Sequence, residues 1–175
     1  MEAYIGESDR ASHARFGPTP RNRIMYGPPG HAYVYLVYGM HDCLNVITEP
    51  LGAPAALLIR AVEPLEGVDA MRVDRVLRTG RGRRGWTADR AERSAARLAR
   101  IPDDRLAAGP GLVTAAFGID TRWTGVDLCD PRSPLRIETR PPGESLTVAT
   151  SPRIGIDYAG SPWTERPWRF KIARD

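Results

Sequence analysis

The stretch Tyr33-Val34-Tyr35-Leu36-Val37-Tyr38-Gly39-Met40 holds three of the chain's six tyrosines. Its alternation is the period-two pattern of a β-strand, and residues 32–38 are expected to form one. The last tyrosine abuts Gly39, where a strand would turn. Aromatics at a strand end are placed to be presented rather than buried. In a basic protein, such aromatics are candidates to stack on nucleic-acid bases or to wedge between them.

Working outward, residues 43–49 and 55–62 read as two more strands. Residues 1–31 are rich in Gly and Pro turns and read as irregular, with a helix at most around 8–15. A helix is expected from Glu63 to about Leu77, with Val68, Met71, Val73 and Val76 as its apolar stripe. Arg78-Thr79-Gly80-Arg81-Gly82-Arg83-Arg84-Gly85 follows as a basic, glycine-rich loop. It is either a solvated connection or a phosphate-contacting loop. Thr87 caps an expected helix over 87–100, and Gly109-Pro110-Gly111 starts another that ends near Phe117. Short strands are expected at 126–128 and 134–139, a turn at Arg140-Pro141-Pro142-Gly143, and late strands at 146–150 and 168–173. The pattern is mixed α+β over one domain, residues 1–175, without the regular βαβ spacing of a doubly wound fold.

Composition narrows the function. Of 175 residues, 42 % are apolar and 26 % charged, which suits a globular chain with a sizeable core. No apolar run approaches the roughly 18 residues of a membrane span, and the opening residues do not read as a signal peptide. Cys43 and Cys129 form no CxxC pair, so unpaired thiols in a cytoplasmic protein are expected. Net charge is +4, and Lys171 is the sole lysine among 25 basic side chains. Arginine forks match phosphate oxygens well, although GC-rich coding also enriches arginine.

Common site signatures are absent: there is no HExxH, no GxxxxGK[ST] and no GxGxxG ahead of a helix. His41-Asp42-Cys43 is a poor metal pair because neighbouring strand residues face opposite ways. No metal and no cofactor are expected. Polar residues among aromatics remain: Glu2 beside Tyr4, His13, Thr19-Pro20-Arg21-Asn22-Arg23, and Asn45. From spacing alone, Glu2 reads as a frayed terminal carboxylate, His13 as a surface or capping residue, and Asn45 as a turn or strand-end residue.

Taken together, these segments closely resemble the alkyladenine (3-methyladenine) DNA glycosylase family, of the monofunctional type. The resemblance rests on Glu2-Ala3-Tyr4-Ile5-Gly6, Asp9 through His13, Thr19 through Arg23, and the tyrosine run with Cys43 and Asn45. It continues through Leu58-Ile59-Arg60-Ala61-Val62-Glu63-Pro64-Leu65-Glu66-Gly67, Gly109-Pro110-Gly111 and Gly160-Ser161-Pro162-Trp163. It implies a curved, mostly antiparallel sheet with surrounding helices. It also implies base-excision repair: flipping of a damaged purine out of duplex DNA, then hydrolysis of its N-glycosidic bond. The lesions implied are 3-methyladenine, hypoxanthine and ethenoadenine.

By match to the family motifs, Glu2 is the general base and Arg60 helps hold the water it activates. Tyr4, His13 and Tyr35 line the flipped base, and Asn45 screens against the exocyclic amine of guanine. Tyr38 is the wedge that fills the gap in the stack, with Met40 beside it, and Tyr33 is a structural neighbour. Because water is the nucleophile, no Schiff-base lysine is needed. The resemblance further implies a monomer acting on duplex DNA at the bacterial nucleoid, without a membrane.

Two departures from the family stand out. Its members carry a few dozen residues before the Glu-Ala-Tyr motif, including core strands. The expectation is therefore either that Met1 is an internal methionine of a longer reading frame, or that the chain is short at its front. In the short form, a free α-amino group would lower the basicity of Glu2 and fraying would loosen its geometry. A non-catalytic, damaged-DNA-binding module is the alternative function. Leu112 stands where the family commonly has lysine, leaving Arg81, Arg83 or Arg84 to replace that phosphate contact.

Overall fold

A computed structural model describes residues 1–80, 85–140, 143 and 146–173. Six strands form one antiparallel sheet that does not close into a barrel: β1 (Glu2–Ile5), β2 (Ala32–Val37), β3 (His41–Ile47), β4 (Ala55–Leu58), β5 (Val148–Ser151) and β6 (Arg169–Ile172). Their order across the sheet is β2-β3-β4-β1-β6-β5. With α1 (Val68–Gly80), α2 (Ala88–Ala99) and α3 (Pro110–Ala116), the fold is the mixed α+β class expected. The chain groups into two compact units. One is Met1–Tyr33, Asn45–Leu58 and Trp123–Asp175; the other is Val34–Leu44 and Ile59–Arg122.

In the first unit, the opening residues are not irregular. β1 pairs with β4 on one side, Glu2 opposite Leu58 and Tyr4 opposite Ala56. On the other side Glu2 faces Arg169, and the Ala3 N–H donates to the Trp168 carbonyl at 2.9 Å. Glu2 is therefore not a frayed carboxylate; it is fully buried. In place of a helix at 8–15 there is a single 3-10 turn, His13–Phe16, capped by Ser12, whose Oγ accepts from the Ala14 N–H at 3.1 Å. Asn22 ties the loop behind it: its Nδ2 donates to the carbonyls of His13 (2.8 Å) and Gly17 (3.0 Å). Residues 126–128 and 134–139 form no ladder. The first is a lone bridge from Asp127 to His31, and in the second Ile137 N–H donates to the Leu128 carbonyl at 2.8 Å. Ala11, Ile156 and Ala159 make a small core against which Tyr4 and Trp163 pack.

In the second unit, the chain leaves β4 at Leu58 rather than Val62. Ile59 and Val62 instead pack on Met71, Ala107, Val113 and Ala116. The following helix starts at Val68 rather than Glu63, because Gly67 takes a left-handed φ of 71° that no helix interior accepts. It then runs past Leu77, so Arg78 through Gly80 are helical. Arg78 is tied down, 3.2 Å from the Asp42 carboxylate and donating to the Ile119 carbonyl. Arg81, Gly82, Arg83 and Arg84 lie outside the described residues, as do Pro141 and Pro142 of the expected turn. α2 has the expected cap: Thr87 Oγ1 accepts from the Arg90 N–H at 3.3 Å. α3 opens on Pro110, whose missing N–H costs nothing in the first turn. Among the described residues no helix is long and apolar enough to cross a membrane.

Candidate active site

Strand register assembles the core of the site in the first unit. Asn45 of β3 pairs with Leu58 of β4, and Leu58 pairs with Glu2 of β1. Directly paired residues face the same way, so Asn45 and Glu2 share one sheet face, two strands or roughly 10 Å apart. Tyr4, two residues beyond Glu2, lies on that face too. The Glu2 side chain is held at both oxygens: Oε1 accepts from the Ile154 N–H at 2.9 Å, and Oε2 accepts from the Tyr4 hydroxyl at 3.0 Å. The Ile154 N–H is an obligate donor and the Tyr4 hydroxyl can donate to the second oxygen, so the contacts fix the carboxylate in one orientation. A buried carboxylate fixed in one orientation is the group needed to take a proton from water.

Sequence reading overlooked Arg153, which organises this corner. Its side chain is fully buried and forms a two-point ion pair with the equally buried Asp9: Nη1 to Oδ2 at 2.6 Å and Nη2 to Oδ1 at 2.9 Å. Nη1 also donates to the Ala3 carbonyl at 2.9 Å. The guanidinium lies 4.6 Å from the Tyr4 ring centre and 5.0 Å from that of Trp168. Arg166 continues the stack, 4.7 Å from Trp168 and 4.4 Å from Trp163. Tyr4 is thus the end plate of an alternating series of rings and guanidiniums. No local signal marks Arg153, since its partner Asp9 is 144 residues away. The one available hint is that Asp9 falls inside a motif segment.

His13 and Asn45 converge on Tyr33. The His13 Nδ1 lies 2.9 Å from the Tyr33 hydroxyl, and the two rings meet edge to face with centres 6.0 Å apart. Burial, reinforced by the charges of Arg21 and Arg15, lowers the His13 pKa to about 4, so the ring is neutral at pH 7. A neutral imidazole can lie against a cationic base without repelling it. Burial also raises the Tyr33 pKa, opposed by the charge and hydrogen bond of Arg21. Buried Asn45 donates from Nδ2 to the Tyr33 carbonyl at 3.1 Å. Tyr33 is therefore a shared support for two candidate residues, more than a neighbour in the run.

The second unit carries the remaining candidates. β2 and β3 are joined by a two-residue turn in which Tyr38 (φ 51°) and Gly39 (φ 67°) are both left-handed, and the Met40 N–H donates to the Val37 carbonyl at 3.0 Å. This is a type I′ hairpin turn, favoured by strand twist but strained at residues other than glycine, asparagine or aspartate. Tyr38 is the only non-glycine residue among those described with a left-handed φ, and it is 88 % exposed. Met40 beside it is 64 % exposed. Tyr35 is half-buried within β2. Arg60 is half-buried just after β4, where its charge opposes the burial that pushes the Cys43 thiol up to about 11.

Comparison with known proteins places the chain in a family. A family model described as "Methylpurine-DNA glycosylase (MPG)" matches residues 1–175. A protein of Methanocella arvoryzae is 43 % identical over 169 residues, covering 97 % of this chain and 72 % of the relative. One of Myxococcus xanthus is 40 % identical over 171 residues, covering 98 % of this chain and 70 % of the relative. One of Anaeromyxobacter dehalogenans is 43 % identical over 173 residues, covering 98 % of this chain and 64 % of the relative. All three bear the name "Putative 3-methyladenine DNA glycosylase". With the family model matching its whole length and relatives 40–43 % identical over nearly all of it, this chain belongs to the methylpurine-DNA glycosylase family.

Proposed function

We propose that this chain is a monofunctional DNA glycosylase that releases alkylated or deaminated purines from duplex DNA. The observation that carries the reading is the buried Glu2 carboxylate, held at one oxygen by Ile154 N–H and at the other by the Tyr4 hydroxyl. Glu2 takes a proton from water as the water oxygen bonds to C1′ of the sugar. The C1′–N bond breaks, and its electron pair leaves with the purine. The same carboxylate offsets the positive charge that develops on the sugar. A cationic alkylated purine departs neutral, so one base suffices; a neutral purine such as hypoxanthine departs as its anion and takes a proton from solvent.

Tyr4 and neutral His13 are assigned to stacking on the flipped base, and Asn45 to rejecting guanine. Tyr35 and Arg60 are assigned to the base edge and to the water on their match to the family motif. Tyr38, with Met40, is the wedge. Its exposure and its left-handed backbone support that role, because strain persists where structure over-determines it. The protein acts as a monomer on chromosomal DNA in the cytoplasm.

The test is incubation with duplex oligonucleotides carrying 3-methyladenine, hypoxanthine or 1,N6-ethenoadenine. Free base and an intact strand bearing an abasic site are expected. Tight, salt-dependent lesion binding with no base release would leave a binding module instead. A borohydride-trapped covalent adduct would rule out the monofunctional mechanism.

A further inference from the structure

We infer that Arg153 is a positioning residue for the general base: through Ala3, Tyr4 and its chain neighbour Ile154 it fixes where the Glu2 carboxylate points. The inference rests on the proposed glycosylase reading and adds to it a residue that touches neither water nor base.

Three connections converge on Glu2 from this one side chain. The first is through the backbone. Arg153 Nη1 donates to the carbonyl of Ala3, the residue between Glu2 and Tyr4, at 2.9 Å. The second is through a ring. The guanidinium lies 4.6 Å from the Tyr4 ring centre, and the Tyr4 hydroxyl donates to Glu2 Oε2. The third is through the chain. Whatever fixes Arg153 also fixes the peptide after it, whose N–H belongs to Ile154 and donates to Glu2 Oε1. Arg153 is itself immobilised by Asp9, whose carboxylate also accepts from the N–H groups of Ile5 (3.3 Å) and Ala11 (3.0 Å). Among the described residues its Nε has no hydrogen-bond partner, so the group is located by its two Nη atoms and its two faces.

These contacts are geometric, and a point charge does not reproduce them. A lysine at 153 keeps one positive charge opposite Asp9. It cannot fork to two carboxylate oxygens, reach Ala3 and present a flat face to Tyr4 at once. The carboxylate at position 2 must aim a water at the sugar carbon, and a misplacement of about 1 Å caused by a remote change lowers rates by about 100-fold. Arg153→Lys should therefore slow the chemical step while sparing lesion binding.

The experiment compares wild type with Arg153→Lys in three readouts. These are single-turnover base release from hypoxanthine duplex, equilibrium binding of that duplex, and the pH titration of the Ile154 amide in 1H–15N spectra, which reports ionisation of Glu2. The expected result is release slowed at least about 30-fold, binding within about threefold, and an Ile154 amide that no longer follows Glu2. Release at the wild-type rate would overturn the inference. So would a loss of binding that parallels the loss of rate, since that would make Arg153 a purely structural residue. If Arg153→Lys does not fold, the charge-neutral pair Asp9→Asn with Arg153→Gln is judged by the same measures. If wild type itself releases no base, the glycosylase reading fails. The inference then stands or falls on the amide alone: an Ile154 titration unchanged by Arg153→Lys overturns it, and a lost one upholds it.

Discussion

The Oε1 oxygen of Glu2 and the backbone N–H of Ile154 are hydrogen-bonded at 2.9 Å although 152 positions of chain separate them. The contact defines a clean substitution. In Glu2→Gln the amide oxygen still accepts from Ile154, and the Tyr4 hydroxyl can accept from the new NH2. Geometry is kept and basicity is lost. Base release should fall by about 10²- to 10⁴-fold, while lesion-duplex affinity stays within a few-fold. Single-turnover assays paired with equilibrium binding check both halves; full activity would mean that the base is another group.

Acid should weaken the fold through His13. Its folded pKa is about 4, against 6.5 when unfolded. Between those values the unfolded chain binds a proton that the folded chain does not. The stability contribution is therefore intact above pH 6.5, declines as the pH falls, and is gone below pH 4. Urea unfolding of wild type and His13→Gln at pH 7, 5 and 4 isolates the effect, since the carboxylates titrate in both proteins. Wild type should lose up to about 3 kcal/mol more than the variant across that range. Parallel curves would show that His13 is solvated in solution.

Asn45 supports Tyr33 and faces the same side of the sheet as Glu2, so its truncation should register twice. Asn45→Ala leaves the buried Tyr33 carbonyl without that donor, at a cost of about 1–3 kcal/mol in stability. It also opens space at the place assigned to rejecting guanine. Release of unmodified guanine from undamaged duplex DNA should rise above the wild-type background. Stability lost without any rise in guanine release would confine Asn45 to a structural role.

How much of this was legible in the sequence depended on whether the signal was local. The tyrosine run announces β2 and its turn because alternation and Gly39 lie within eight residues, and Thr87 announces α2 in the same way. β1 does not announce itself. Glu2-Ala3-Tyr4-Ile5 is too short for alternation to show, and what makes it a strand is pairing with β4 and β6, 50 or more residues away. Glu2 was consequently legible by motif but not by physics: only the fold turns a terminal carboxylate into a buried one. Arg153 was not legible at all, because an arginine in Ser-Pro-Arg-Ile gives no sign of the aspartate that will bury it. At Gly67, by contrast, the helix start is set by a left-handed glycine that lies openly within the expected helix, but its φ is not written in the apolar stripe.

Tyr38 offers the sharpest test, because stability and function should move in opposite directions there. Its φ of 51° places a Cβ where the type I′ turn favours glycine or asparagine, a strain of about 1–2 kcal/mol. Its ring is 88 % exposed and contributes little packing in return. Tyr38→Gly should therefore leave the thermal midpoint unchanged or raise it, through relief on the order of 1 kcal/mol. Lesion-duplex affinity should fall by about 1–3 kcal/mol, roughly 5- to 150-fold, as the stacking group is lost. Tyr38→Phe keeps both the strain and the ring, and should match wild type in each measurement. A more stable protein that binds worse is the signature of strain retained for function. If Tyr38→Gly bound the lesion as tightly as wild type, the exposed ring would be a bystander and the wedge would have to be sought at Met40.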